Sequence, residues 1–530
     1  MYKKEKYMKY FIVLLLAIVL IGCNSTSSSD NDEENQSNEE GNASVGGEIV
    51  VAYSSQPPVL DSHVSSADAI VDTMRHVYDT LVTIDSEYNV QPSLADSWEI
   101  SEDGKTYTFK LREGVLFHNG KEFTAEDAAA SMNRWKELPG SRGIFKDATF
   151  EAVDDYILEL HLPEPLSIAL TVLAYSNSGF AMIMPKEIAE NASAEGVTEH
   201  IGTGPFRFEE WKPDQYLHLK RFEDYKPREE PTDGLSGKKE ALVDDLRFVF
   251  VADSSTREAG IRSGEYDFSH AIPFDSAEQL ESTGEITNYT YPGAYVNLHF
   301  NKKQGIFTEK EARQGVAAIL EMDSILRAGY VDEKYYTVNH NMMMTHQESQ
   351  WYSDVGKEKH NLNDPVKGME LLEQAGYNGE EVTLFTTRDY EDQYHSAVVI
   401  QEQLEQAGVN VTLEVYDWPT LLDKIYEEDG YDMFVMANTV VAEPTSGPYF
   451  NPEYAGWPND PEMEKIKAEF RGKHTEEEAK PVYDQLQEWM WDYTPAVKIG
   501  DYDRVSSARN TLENFQYLDG MIFWNVKNNK

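Results

Sequence analysis

A single cysteine in 530 residues excludes an internal disulfide framework and any multi-thiolate metal site. Positive charge is scarce as well. Lys and Arg number 46 against 94 Asp and Glu, a formal net charge of -48 that repels phosphate backbones and anionic headgroups, so nucleic acid is not an expected partner. Catalytic signatures are missing too: the chain has no Gly-x-Ser-x-Gly elbow, His-Glu-x-x-His pair, Walker loop or dinucleotide fingerprint, and Gly202-Thr203-Gly204 is too short for the last. No enzyme activity and no cofactor is expected. Disorder of the whole chain is excluded in turn by 40% hydrophobic residues and 12% aromatics. The length corresponds to three or four units of ordinary domain size, enough for a sizeable core.

Long apolar runs are also absent, with one instructive exception at the start. Lys3, Lys4, Lys6 and Lys9 precede the aliphatic segment Phe11 to Ile21, which falls short of the roughly 20 residues that a helix needs to span a bilayer. It reads as an export signal. The segment closes with Leu20-Ile21-Gly22-Cys23, which resembles the lipobox of bacterial lipoproteins and implies cleavage before Cys23 and lipidation of its thiol. Residues 1–22 are therefore expected to be removed, leaving a mature chain of about -51. Residues 23–46 follow as a polar, acidic stretch with too little apolar surface to offset chain entropy, expected to be a flexible tether. The body is placed at the outer face of the cytoplasmic membrane, anchored by lipid. The carboxylates of Asp30 to Glu40 lack preorganisation and read as solvated linker rather than a cation site.

From Gly47 the pattern becomes α/β. Glu48 to Tyr53 is strand-like, and Ala69 to Leu81 carries Ile70, Met74, Val77 and Leu81 at helical spacing. Asp103-Gly104 between alternating runs predicts a hairpin that puts Tyr107, Phe109 and Leu111 on one face. Thr124 caps a helix with Asp127 three places in. The stretch 381–437 reads βαβαβ with parallel strands: Glu381 to Thr387, Val411 to Tyr416 and Asp432 to Ala437 alternate with helices over Tyr394 to Ala407 and Pro419 to Glu428. Ligands of open α/β sheets gather beyond the carboxyl ends of strands, which here are followed by Arg388 and Tyr390, by Asp417 and Trp418, and by Asn438 to Glu443.

Several ordered motifs resemble one family. The run Leu94 to Trp135, then Gly202-Thr203-Gly204-Pro205-Phe206 with Trp211-Lys212-Pro213 and Tyr225, then Ser263-Gly264-Glu265-Tyr266-Asp267, Arg313-Gln314-Gly315-Val316 and Asn363-Asp364-Pro365 through Ala375-Gly376-Tyr377, is similar to the peptide and nickel class (family 5) of extracytoplasmic solute-binding proteins that feed ABC importers. The likeness covers roughly residues 48–525. Glu321-Met322 departs from the family's Asp-Arg, and Gly315 stands where Ala is usual. The resemblance implies a periplasmic-binding-protein-like fold of two hinged lobes with an extra subdomain in the first. Lobe I is expected over 47–295 with a 503–530 return and an insertion near 85–200, and lobe II over 296–502, with the crossings at Tyr295 to Asn301 and Val497 to Tyr502. It further implies a monomer that captures di- or oligopeptides and passes them to a membrane permease served by cytoplasmic ATPases.

Site roles follow from the same likeness. In dipeptide-binding relatives an Arg with a Tyr two places on holds the peptide carboxylate, which Thr387-Arg388-Asp389-Tyr390 matches, and a carboxylate before Pro holds the ammonium, which Glu443-Pro444 matches with Glu for Asp. A guanidinium fork suits a carboxylate and a carboxylate suits an ammonium. Arg388 is thus either a ligand contact or a lobe-closing ion pair, and Glu443 either an amine anchor or a solvated loop carboxylate. Trp418 reads as a cleft wall, Asn438 as a further contact, and Ser54, Ser55 and Gln56 as lobe I contacts or as caps of a turn before Pro57-Pro58. The alternative ligand is nickel or a metal chelate. Its local feature is His340-Asn341-Met342-Met343-Met344-Thr345-His346, where His340 and His346 are the candidate metal ligands and the Met residues suit either a soft metal or an apolar gap. A signalling or adhesion lipoprotein on the same fold is a third class.

Overall fold

The computed structural model describes residues 46–530, apart from 142, 177 and 178. The export signal, Cys23 and the linker up to residue 45 lie outside the described residues. Among those described, no helix is long and apolar enough to cross a membrane.

Glu48–Tyr53 forms a strand whose Ile49, Val51 and Tyr53 are buried, as the alternation predicts. It runs parallel to Asp245–Phe250 on one side and to Phe268–Ser269 on the other. Tyr216–Arg221 and Phe206–Lys212 extend the sheet antiparallel beyond the first neighbour. Past the second neighbour come two long strands, Ala496–Arg509 and Ile286–Phe300, paired antiparallel over nearly their full lengths. Met433–Thr439 follows, then Val382–Thr387 and Val411–Tyr416, parallel as expected for the βαβαβ unit. Among the described residues this makes one sheet of eleven strands.

The long pair belongs to two lobes at once. Its half at 294–300 is flanked by Met433–Thr439, whereas Ala508 and Ser507 at its other end meet Phe268 and Ser269. The ladder shifts register twice, between Pro292 and Ala294, where proline has no N–H to offer, and between Val296 and Asn297. Each lobe has its own core. One gathers Val51, Phe206, Leu217, Phe248 and Phe523, the other Leu298, Val316, Leu384, Ile400 and Val435.

A separate four-stranded antiparallel sheet orders Ala95–Ile100, Thr106–Leu111, Ile157–His161 and Thr149–Asp154. The hairpin turns at Gly104, whose φ of 69° suits glycine, and Tyr107, Phe109 and Leu111 are all buried. Asp127 accepts the Thr124 N–H at 3.1 Å, so the expected cap forms. The core of this sheet is continuous with Trp351, Phe470, Tyr483 and Leu486, and Ser167 bonds to the carbonyls of Arg471 and Phe470 at 2.9 Å each. The region around 85–200 therefore shares its interior with the helices Pro461–Arg471 and Glu476–Tyr493.

One helix is shorter than the spacing predicts, spanning Asp68–Met74 instead of reaching Leu81. Tertiary pairing explains the stop: the carbonyls of His76 and Val77 accept the N–H groups of Phe206 and Gly204 at 3.0 and 2.9 Å, so they are not available to continue the helix. The helices Glu391–Ala407 and Trp418–Lys424 complete the βαβαβ unit, and Gly408 ends the first in the left-handed region at φ 107°.

Candidate functional site

The parallel strands Glu48–Tyr53 and Phe268–Ser269 end side by side, which brings Ser54 next to His270. Ser54 Oγ and His270 Nδ1 lie 3.0 Å apart, and the imidazole stacks on Tyr53 with ring centroids 4.4 Å apart. Burial, aided by Arg504 and Arg257, pushes the His270 pKa down to about 3, so the ring is neutral near pH 7. Arg257 fixes the backbone here by donating to the carbonyls of His270 at 2.9 Å and Ala271 at 2.8 Å. That support matters because Ala271 holds a φ of 52°, a strained region for a residue with a Cβ.

Facing this edge is the carboxyl end of the other lobe's strands. Tyr390 precedes the helix Glu391–Ala407, and its ring meets Trp418 edge-on at 4.9 Å. Asp389 accepts the Trp418 N–H at 2.7 Å, tying the two strand ends together. Asp392, in the first turn of the helix, accepts the Tyr330 hydroxyl at 3.1 Å, and burial raises its pKa above the usual aspartate value. Tyr330 stacks on Tyr502 at 4.2 Å.

The long strand Ala496–Arg509 supplies the floor. Tyr502 and Arg504 stand two residues apart and so on one face of it. Tyr502 foremost, then Tyr291 and Asp68, hold the guanidinium pKa above its ordinary value, and Arg504 is a permanent cation. Its ion pair with Asp68 is long, 3.7 Å.

Between these walls lies a cavity of about 940 Å³, with residues of both lobes in its lining. Aromatic faces, one guanidinium and several carboxylates converge on a space of small-ligand size. The arrangement can hold a zwitterionic or mixed-charge solute. His270, the imidazole that touches the Ser54 hydroxyl here, is buried and stacked on Tyr53.

Of the eight residues singled out from the sequence, Ser54, Tyr390 and Trp418 line this cavity. The other five lie outside its lining, each for a local reason. Arg388 turns outward, stacking over Tyr394 at 4.6 Å and donating to its hydroxyl at 2.8 Å. Strand alternation sends Ala437 and Thr439 into the cavity and Asn438 to the opposite face, where its carbonyl accepts Asn297 Nδ2 at 2.6 Å and its amide donates to Tyr454 at 2.8 Å. Glu443 is fully buried and caps the turn Pro444–Ser446, accepting the Thr445 N–H at 2.6 Å and hydroxyl at 2.7 Å, with Arg471 at 3.5 Å. Its carboxylate is consumed internally. Gln56 exchanges hydrogen bonds with Asp214 at 2.6 and 2.8 Å on the exposed side, and Ser55 is exposed.

His340 and His346 have other surroundings. His340 Nε2 sits 2.8 Å from the Ser353 carbonyl, His346 packs against Tyr88, and Met342, Met343 and Met344 are buried in the hydrophobic core. Among the described residues no group of three or more His, Cys, Asp or Glu is placed to hold a metal ion. Sequence reasoning missed Arg504, Asp392, His270 and Tyr330. Two signals were available: His270 follows the strand Phe268–Ser269, and Tyr502 and Arg504 alternate on a crossing strand.

Comparison with known proteins agrees with this architecture. The model of the bacterial extracellular solute-binding proteins, family 5, matches residues 89–459. The probable peptide ABC transporter periplasmic-binding protein y4tO of Sinorhizobium fredii is 30% identical, over 85% of this chain and 88% of its own. The oligopeptide-binding protein AppA of Bacillus subtilis is 24% identical, over 99% and 98%. Among solved structures, the periplasmic binding protein DppA of Helicobacter pylori in complex with the peptide STSA superposes with a TM-score of 0.73 at 25% identity, over 92% of this chain and 99% of that one.

Proposed function

The chain belongs to family 5 of the bacterial extracellular solute-binding proteins, and from that premise we propose that it captures di- or oligopeptides between its lobes and delivers them to the membrane permease of an ABC importer. The observation that carries this reading is the cavity of about 940 Å³ at the boundary of the lobes, where a guanidinium, carboxylates and aromatic faces meet. Relatives named for peptides, and the peptide complex of the Helicobacter pylori protein, support the ligand class. The nickel or metal-chelate alternative has less behind it, since the Met residues of 340–346 serve the core.

In this reading lobe I takes 47–295 and 503–530, with an inserted subdomain near 85–200, and lobe II takes 296–502. Bending is concentrated at the crossings Tyr295 to Asn301 and Val497 to Tyr502, and the register shift between Val296 and Asn297 within the first supports that placement. A ligand touching both lobes stabilises the closed state by its differential affinity, which the permease then reads. The solute leaves chemically unchanged. The protein acts as a monomer on the outer face of the cytoplasmic membrane, lipidated at Cys23, with residues 24–45 as its tether.

The test starts from the purified mature chain. Mass spectrometry of whatever is released on unfolding should find peptides, and the stripped protein should regain a raised melting temperature when defined peptides are added, with EDTA without effect. Stoichiometric nickel, or a peptide returned cleaved, would overturn the proposal.

A further inference from the structure

Two charges of the cavity lack a close counter-ion. Arg504 approaches exposed Asp68 only to 3.7 Å, beyond hydrogen-bond reach. Asp392, half-buried, is held by the neutral Tyr330 hydroxyl and has no Lys, Arg or His within ion-pair distance among the described residues. The two sense each other, because Arg504 opposes the upward shift of the Asp392 pKa, yet they do not meet. A ligand that brings a carboxylate to Arg504 and a cation to Asp392 gives each a closer partner than the protein supplies.

The rest of the lining is unequal in sign. Among the described lining residues Arg504 is the only Lys or Arg, whereas Asp275, Asp389, Glu391 and Asp392 are all acidic. Two imidazoles also line it, His270, which is neutral, and the exposed His395. An anionic group therefore has one favourable place, and the remaining field rewards cations.

Resting on the peptide reading above, we infer that this cleft selects peptides with a free C-terminus and a net positive charge: Arg504 grips the carboxylate, Asp392 receives an ammonium or guanidinium group, and a second basic group faces Asp389 and Glu391. The carboxylate anchor is then Arg504 on the crossing strand, and Arg388, stacked on Tyr394, has no part in it.

Calorimetric titration of stripped protein with Ala-Lys-Ala, Ala-Ala-Ala, Ala-Glu-Ala and C-amidated Ala-Lys-Ala tests this, on wild type, Arg504→Gln, Arg504→Lys, Asp392→Asn and Arg388→Ala. In wild type the affinities should fall from the lysine to the glutamate peptide by about tenfold per step at low salt, with the steps shrinking as salt rises. Amidation should weaken wild-type binding by about 30-fold or more. That gap should vanish in Arg504→Gln, return in part in Arg504→Lys and persist in Arg388→Ala, while Asp392→Asn should narrow the advantage of the lysine peptide. A glutamate peptide bound as tightly as the lysine one, or an acid-to-amide gap that survives Arg504→Gln, overturns the inference. Should Arg504→Gln fail to fold, the wild-type series and Arg388→Ala still decide: equal affinities across the series, or a gap closed in Arg388→Ala, overturn it. A wild type that binds none of the peptides strikes the peptide reading itself, and this inference falls with it, whereas indifference to charge and amidation leaves that reading standing.

Discussion

His76, His270 and His299 have pKa values pushed down to about 3, and His63, His118, His200, His346 and His360 to about 4, in each case chiefly by burial. In the unfolded chain these rings titrate near 6.5. Between about pH 6.5 and 4 the unfolded state therefore holds more protons, and stability falls as pH falls. Asp72 and Asp503, raised to about 6, and Glu476, raised to about 7, work in the opposite direction, since the folded state keeps their protons as pH drops. The histidines outnumber them. Unfolding near pH 5.5 should take up about four to five protons, a slope of roughly 6 kcal/mol per pH unit. Melting temperature against pH, with calorimetry in buffers of different ionisation heat, checks this; a melting temperature that holds or rises from pH 7 to 5 would contradict it. Single residues were legible unevenly in the sequence. Tyr390 and Trp418 follow from strand ends, and Thr445 and Ser446, which donate to Glu443, are a local sign that it caps its own turn, whereas the cation beside it, Arg471, is 28 residues on.

The helices Lys310–Ile319 and Pro365–Ala375 meet through glycines. A Cβ on Gly315 would lie 2.7 Å from the Gly368 carbonyl and 2.9 Å from Leu372 Cγ, so this position, Ala in many relatives by the resemblance, admits no methyl here without moving a helix. Propensity alone favours Gly315→Ala by about 1 kcal/mol, whereas overpacking costs about 1–3 kcal/mol. The second term should win. Urea unfolding should show a loss of roughly 1–2 kcal/mol, and a gain would show that the helices separate freely. Elements whose signal is local were readable: the strand Glu48–Tyr53, the Gly104 hairpin, the Thr124 cap and the parallel strands of 382–439. The helix starting at Asp68 was overextended because the groups that stop it, Gly204 and Phe206, are far away in sequence. Gly202 and Gly204 are glycines because of that same pairing: a Cβ on Gly202 would strike the Val77 carbonyl and the Tyr78 ring, and one on Gly204 the backbone of His76 and Val77.

At the scale of the molecule, one sheet of the described residues carries both lobes, and its two long strands run from one lobe into the other. The order of motifs made the two-lobe fold legible, because each motif is local and their sequence is specific. The cavity was harder to read. Ser54, His270, Tyr330, Asp392 and Arg504 come from segments that meet only once the sheet is assembled, and no spacing in the chain announces their convergence. The lobes are expected to close on a peptide and give it back intact. Small-angle scattering of the stripped protein with and without saturating peptide, followed by mass spectrometry of the recovered ligand, tests this most directly. Closure should give a smaller radius of gyration with peptide, reversed on its removal, and an unaltered peptide mass. Superimposable scattering curves at proven saturation, or a peptide recovered in fragments, would contradict it.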